Sequence, residues 1–374
     1  MDHGMQCPLP LPVLDAMLTA ATSIGHPLSP HADGARASDM LDVARSNVAK
    51  LMSASPEEVI FTSGGTEANN AAVWGLSAAA EGKGRHIIVS AIEHLSVMDA
   101  AERLVRQGWE ITRLPVDRYG MIDPDDLRKS LRAQTALVCV TAASDELGTI
   151  EPVEAIAAVC RAAGAILHVD AVQAAGHIPL NMAEQLDSMS ISGSPMYAPA
   201  GIGALVVRKG VRYVPMIIGG GGEEGRRGGA PNLIGAAGLG AAAFLAGERM
   251  EEIEMRLIPL RKRLTQGILD RIPDAGLIGH PVLRLPGHAA FVIPGAEGEV
   301  IVRELDMEGV RASSGSICSR WAMKPSHVIS ATGIGPETAK NVIQFTLGEG
   351  NSEEQVDYVL DILPKIISRV RNLS

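Results

Sequence analysis

A cysteine, a histidine and an aspartate stand in this sequence where a folded chain could put them to chemical use. Cys318 ends Ser313-Ser-Gly-Ser-Ile-Cys318, a Gly/Ser-rich stretch whose composition marks an exposed loop. Its thiol is a candidate nucleophile, with an incidental loop cysteine as the alternative. Asp170 closes an apolar strand-like run in Leu167-His-Val-Asp-Ala-Val-Gln173. A carboxylate at the end of a buried strand is costly unless it meets a cation or a protonated ring nitrogen. His94 follows the strand-like Ile87–Ser90 by four residues, as a site residue or as an ordinary loop histidine. Thr62-Ser-Gly-Gly-Thr-Glu-Ala-Asn-Asn70 passes from strand-like to helix-like sequence. Its glycines permit close backbone approach, and Thr66 could help the helix N-terminus hold a phosphate; a plain helix cap is the other reading.

Such residues need a scaffold, and the chain supplies one by alternation. Ala35–Met52 is helix-like, Val59–Thr62 strand-like, Thr66–Ala80 helix-like, His86–Ser90 strand-like and Leu95–Gln107 helix-like. Ala136–Thr141, Pro152–Ala163, Ile166–Asp170, Met189–Ser192 and Ala204–Arg208 continue the series. Strands alternating with longer helices predict an α/β fold with a mostly parallel sheet covered on both faces. Ligands of such sheets bind at the carboxyl ends of strands, where Thr66, His94 and Asp170 fall. Gly219–Gly229, carrying Glu223, Glu224, Arg226 and Arg227, is a Gly-rich loop before a helical stretch from Leu233 to Asp270, with a break expected near Pro259. After Pro273, short strands at Ala289–Ile293, Val310–Ala312 and Val342–Thr346 alternate with helices, and Glu353–Arg371 is an amphipathic closing helix. The expected organisation is a large domain over 12–250 and a smaller α+β domain over 251–374, joined by 1–11, that carries the Cys318 loop.

Composition narrows the function classes. Net charge of −10 argues against a nucleic-acid partner, because phosphate neutralisation needs a surplus of Lys and Arg. No apolar run reaches the roughly 18–20 residues that span a bilayer, so no membrane partner is expected. Met1–Pro8 has neither a basic nor an apolar leader pattern. The four cysteines, Cys7, Cys139, Cys160 and Cys318, are far apart and form no CxxC pair, a pattern that suits a reducing cytoplasm.

Taken together, the motifs resemble the cysteine desulfurase family, of the class V aminotransferase, fold type I, pyridoxal 5'-phosphate (PLP)-dependent transferase fold. The resemblance runs nearly the whole chain: Asp2, Gly25-His-Pro with His31, Thr62–Asn70, Glu93-His94, Glu146-Leu-Gly148, His168–Gln173, Ser192-Gly193 with Tyr197, Gly201–Ala204, and Ser314–Cys318 through Pro325-Ser-His327. It implies a seven-stranded-type sheet and a homodimer with PLP at the floor of a cleft. It also implies His94 stacking on the pyridine ring, Asp170 pairing with the ring nitrogen, Gln173 bonding the phenolic oxygen, and Thr66 and Ser192 binding phosphate. Cys318 matches the loop nucleophile that takes sulfur from cysteine as a persulfide and passes it to an iron–sulfur scaffold or another acceptor.

The pattern breaks where catalysis needs it. The family's Ser-Gly-His-Lys, whose lysine forms the internal aldimine, reads here Ser192-Gly193-Ser194-Pro195. Proline offers no amine and no proton shuttle. Ser194 stands for a phosphate-binding histidine and Asp145 for an asparagine near the phenolic oxygen. Ala230 stands for a partner-subunit threonine on the phosphate. Gln344 stands for the arginine that clamps the substrate carboxylate, and Glu349 for the arginine after Gly348. Neither Lys209 nor Lys324 is well placed to substitute. The expectation is a desulfurase-like protein of sulfur or iron–sulfur metabolism, with PLP held otherwise than as an internal aldimine and lysine-dependent catalysis impaired or absent. Cys318 would be a persulfide carrier or a ligand to an iron–sulfur cluster at a partner interface. Two alternatives stay open: a non-catalytic binding or regulatory subunit for a desulfurase or scaffold protein, and a lysine-independent PLP enzyme using Ser194, Asp145 or His94 as acid or base.

Overall fold

The structure is a computed structural model, and it describes residues 1–23, 25–182, 186–315 and 325–373. Strands β1 (Val59–Thr62), β2 (His86–Ser90), β3 (Glu110–Leu114), β4 (Thr135–Thr141), β5 (Ile166–Asp170), β6 (Ser188–Ser192) and β7 (Gly203–Val207) form one sheet in the order β1-β7-β6-β5-β4-β2-β3. Only β7 runs against its neighbours, pairing antiparallel with β1 and β6; the remaining pairs are parallel. Strand residues alternate between two faces. Ile88, Val138, Val140, Leu167 and Val169 enter one apolar core, while Ile87, Val89, Leu137 and Cys139 enter another on the opposite side. Helices α1 (Leu11–Ala21), α2 (Ala32–Leu51), α3 (Gly65–Ala80), α4 (Leu95–Val105), α5 (Pro124–Ser130) and α6 (Val153–Ala162) precede the long α7 (Leu233–Arg271). Residues of α1, α2, α6 and α7 cover the first core, and residues of α3 and α4 cover the other.

The first half of α7 is long and apolar enough, by length and composition alone, to cross a bilayer. Here it packs on α1 and α2 instead. Gly240 lets it approach α2 closely, since a Cβ there would sit 2.4 Å from the Ala44 Cα. Contrary to the expected break, α7 continues through Pro259. Proline removes the bond to the carbonyl of Met255, an exposed residue whose surroundings let water serve that oxygen. Leu257 before it and Leu260, Leu264 and Ile268 after it are anchored in a further apolar core, so packing holds the helical course.

That further core belongs to a three-stranded antiparallel sheet, β10-β9-β8, of β8 (Gly276–Ile278), β9 (His288–Val292) and β10 (Val342–Thr346). Helices α8 (Gly298–Met307), α9 (His327–Ala331), α10 (Pro336–Ala339) and α11 (Glu353–Leu373) complete this part. The strand expected at Val310–Ala312 does not form. Val310 and Ala312 are buried in the core, but the only ladder contact of this segment is the bridge between Ser313 and Gln344. A parallel bridge from Asp2 to Thr346 joins the N-terminus to the same strand.

One buried acid makes stability pH-dependent. Glu151 is 4% exposed; its Oε2 accepts the Ile122 N–H at 2.8 Å, its Oε1 has no hydrogen-bond partner, and burial pushes its carboxyl up from 4.5 to about 8. At neutral pH the folded chain keeps this proton and the unfolded chain loses it, so stability falls as pH rises between those two values. The contribution is about 1.4 kcal/mol per pH unit for one proton. Urea unfolding between about pH 5 and about pH 8 is expected to show this decline, and Glu151→Gln to remove one proton's share of the slope.

Candidate functional site

A cavity of about 250 Å³ opens at the carboxyl ends of the central strands. Thr66, His94, Asp145, Asp170, Gln173, Ser192 and Ser194, all named from sequence as cofactor contacts, line it together. Pro195 and Gln344 line it as well. Cys318, the expected nucleophile and cluster ligand, and Lys324 lie outside the described residues. Lys209 is elsewhere, with its backbone N–H donating to Glu58 Oε1 at 2.6 Å. No group of three or more metal-binding side chains occurs among the described residues.

Asp170 reaches the cavity because β5 ends there. It is 4% exposed, and burial raises its carboxyl above the ordinary value. The Val172 N–H donates to Oδ1 at 2.9 Å and the Asn69 amide donates to Oδ2 at 2.6 Å, both favouring the charged form. A protonated pyridine nitrogen would complete that set as the missing cation. His94 caps α4, with the Ser96 N–H donating to its Nδ1 at 3.1 Å. The sequence reading missed Asn69 and Ser96 as site residues. Their signal was spacing: Asn69 follows Thr66 by three residues on one helix face, and Ser96 follows His94 by two.

The phosphate end is built on α3. Gly64 (φ 147°) leads into this helix with no side-chain cap, leaving its first N–H groups to the cavity beside Thr66, Ser192 and Ser194. Gly65 is required there, because a Cβ would lie 2.6 Å from Val172 Cγ2. These donors and hydroxyls fit a phosphate. Gln173 Nε2 donates to the Gly4 carbonyl at 2.9 Å, which ties the N-terminal segment over the cleft.

The covalent anchor does not fit. Pro195 sits in a 3₁₀ turn, Ser194–Met196, followed by Tyr197 in the left-handed region (φ 57°, ψ 26°). The Pro195 carbonyl accepts from His177 Nε2 at 3.0 Å, and Cys7 Sγ lies 3.9 Å from it. The Tyr197 hydroxyl accepts the Glu349 N–H at 2.9 Å and pairs with His3 Nδ1 at 3.1 Å. No lysine or arginine lines the cavity among the described residues. The described lining residues therefore offer PLP its hydrogen-bonding partners, and none of them carries an amine.

The substrate end is also rebuilt. Gln344 Nε2 donates to the Asp145 carbonyl at 2.6 Å and faces His288 Nε2 at 2.8 Å. His288 Nε2 lies 3.0 Å from the same carbonyl, and burial pushes its imidazole down to about 3. The amide in the arginine's place is thus bonded within the protein. The Gly-rich loop plays a structural part: Glu223 accepts both Arg45 Nη1 at 2.8 Å and the Phe61 N–H at 3.0 Å. Arg227 pairs through Nε with Glu67 at 2.9 Å, in the first turn of α3.

Comparison with known proteins agrees with this geometry. The family model for aminotransferase class-V matches residues 6–359. Cysteine desulfurase IscS of Dictyoglomus turgidum is 41% identical over 376 residues, covering all of this chain and 95% of that protein. Cysteine desulfurase IscS of Methanosarcina thermophila is 39% identical, covering all of this chain and 93% of its own. A solved NifS-like protein superposes with a TM-score of 0.92 at 31% identity, covering 98% of both chains. The apo structure of a cysteine desulfurase from Thermococcus onnurineus NA1 gives 0.88 at 26% identity, covering 98% of this chain and 94% of that one. The chain belongs to the class-V aminotransferase family, and its homologues there are the IscS and NifS cysteine desulfurases.

Proposed function

We propose that this protein works in sulfur or iron–sulfur metabolism as a desulfurase homologue without lysine-dependent catalysis, using Cys318 as a persulfide carrier or cluster ligand. The observation that carries the reading is Pro195 lining the cleft where the family has its lysine, with no other lysine among the described lining residues. Asp170 would hold the ring nitrogen of PLP, His94 its ring face, and Thr66, Ser192 and Ser194 its phosphate. When bound, PLP supplies an electron sink for carbanion chemistry. With no amine at residue 195, the chain lacks both the covalent anchor and the base that moves a proton at the substrate α-carbon.

Sulfur would then arrive as the sulfane sulfur of a persulfide formed elsewhere. The Cys318 thiolate attacks the outer sulfur of a donor persulfide, forming a new S–S bond as the donor's S–S bond breaks and its thiolate leaves. The acceptor would be a scaffold protein or another thiol. The reading includes a homodimer, supported by the exposed stripe of Leu11, Leu14 and Leu18 on α1 and by Ile218, which is 89% exposed. Sedimentation equilibrium is expected to return a dimer mass.

The decisive assay is alanine release from L-cysteine, with and without added PLP, beside a Cys318→Ser control. The expected result is no alanine above the free-PLP background; alanine requiring both PLP and Cys318 would overturn the reading. In a cluster-assembly assay, Cys318→Ser is expected to lose the support that wild type gives.

The two rebuilt ends are separable by substitution. Pro195→Lys is expected to gain PLP that borohydride fixes to the chain, which wild type does not. Gln344→Arg is expected to tighten L-cysteine binding by about tenfold, because a bidentate cation replaces an amide already bonded to the protein. Titration of each variant with L-cysteine by calorimetry reads the second effect directly.

A further inference from the structure

Asn69 lies 1% exposed on α3, at the floor of the cleft, and every hydrogen-bonding site of its side chain is used. Its Nδ2 donates to Asp170 Oδ2 at 2.6 Å and to Ser96 Oγ at 2.9 Å. Its Oδ1 accepts from His168 Nε2 at 3.1 Å and from the Ser190 hydroxyl. An amide carries two N–H donors on nitrogen and two lone pairs on oxygen, so the set is complete. The reverse amide orientation would put its oxygen against a carboxylate, which fixes the direction of every bond.

Those directions propagate. His168 must carry its proton on Nε2, leaving Nδ1 to accept from Ser188 Oγ at 2.7 Å. Burial pushes this imidazole down to about 3, consistent with a neutral ring. Ser96 Oγ receives the Asn69 hydrogen, so its own proton goes to His94 Nδ1 at 2.8 Å. The Ser96 backbone N–H donates to the same Nδ1, and a backbone N–H cannot accept. His94 therefore holds its ring proton on Nε2.

We infer that Asn69 is a positioning residue that sets the hydrogen-bond polarity of the cleft floor, holding Asp170 as an acceptor and His168 in its Nε2–H tautomer, and that its bond to Ser96 Oγ supports the His94 Nε2–H tautomer already required by the Ser96 N–H. The inference rests on the reading that the cleft holds PLP and deepens it. Asp170 is kept aimed as the partner of a protonated ring nitrogen. The Nδ1 lone pair of His94 is already taken, so His94 would serve by stacking and by donation from Nε2 rather than as a base through Nδ1.

The test has two arms. Imidazole ¹⁵N NMR of the cofactor-free protein is expected to show Nε2–H tautomers for both His94 and His168. Asn69→Asp, which keeps the side-chain size and sets a second carboxylate against Asp170, is expected to disturb the His168 tautomer and weaken PLP binding by about tenfold. Ser96→Ala removes only the Oγ contacts and keeps the backbone N–H on His94, so it is expected to leave both the His168 and the His94 signals in the Nε2–H form. A changed His168 signal in this variant would overturn the assignment of that tautomer to Asn69, and the variant is available if Asn69→Asp fails to fold. A wild-type His94 protonated on Nδ1 overturns the assignment, as does an Asn69→Asp protein with unchanged PLP affinity and His168 tautomer. If the wild-type protein binds no PLP, the cofactor reading falls while the tautomers still decide the role of Asn69.

Discussion

The structure around the cleft depends on one buried carboxyl group. Asp170 closes a central strand with almost no exposure to water, and an isolated carboxylate there would be neutralised rather than kept. What keeps it useful is local: the Val172 N–H from the turn that follows the strand, and the Asn69 amide from the facing helix. Both donors depend on how β5 and α3 meet. Gly65 makes that meeting possible, because any side chain at that position would strike Val172. The carboxyl group, the helix end that faces a phosphate and the two-layer packing are therefore one arrangement seen from three sides.

The same packing explains how the fold accommodates proline at residue 195. Residue 195 occupies the first turn of a short 3₁₀ segment, where a backbone N–H is not needed and proline's fixed φ is suitable. Its carbonyl is still held by His177, and Tyr197 in its left-handed conformation still ties the turn to His3 and Glu349. A proline in a helix interior would remove a needed donor and clash with the preceding turn; here it removes only an amine.

Much of this was legible in the sequence, for physical reasons that differ by region. The parallel strands read clearly because both faces are buried, which makes each a short apolar run ending near a chemically distinctive residue such as Asp170. The seven residues named as cofactor contacts line one cavity because their motifs follow strands of the sheet. Local pattern failed where tertiary packing decided the outcome. Pro259 reads as a break, yet core residues on its C-terminal side hold α7 together. Val310–Ala312 reads as a strand, yet its neighbour offers only one bridge. Asn69 was visible only as a letter in a motif, since its role depends on His168, Ser190 and Ser96, residues far from it in the chain.

The distribution of change within the cleft is itself an argument. Asp170 and His94, proposed to serve the cofactor ring, are joined by the hydrogen bonds of Asn69 and Ser96 into a satisfied network. A buried polar network is costly when partly satisfied, so each member constrains the others. The altered residues, Pro195 and Gln344, lie outside that network. Pro195 holds its place through its backbone carbonyl, and Gln344 is bonded to His288 and the Asp145 carbonyl. A change on the cleft floor would orphan a buried donor or acceptor, and a change at Pro195 would not, because its side chain makes no hydrogen bond.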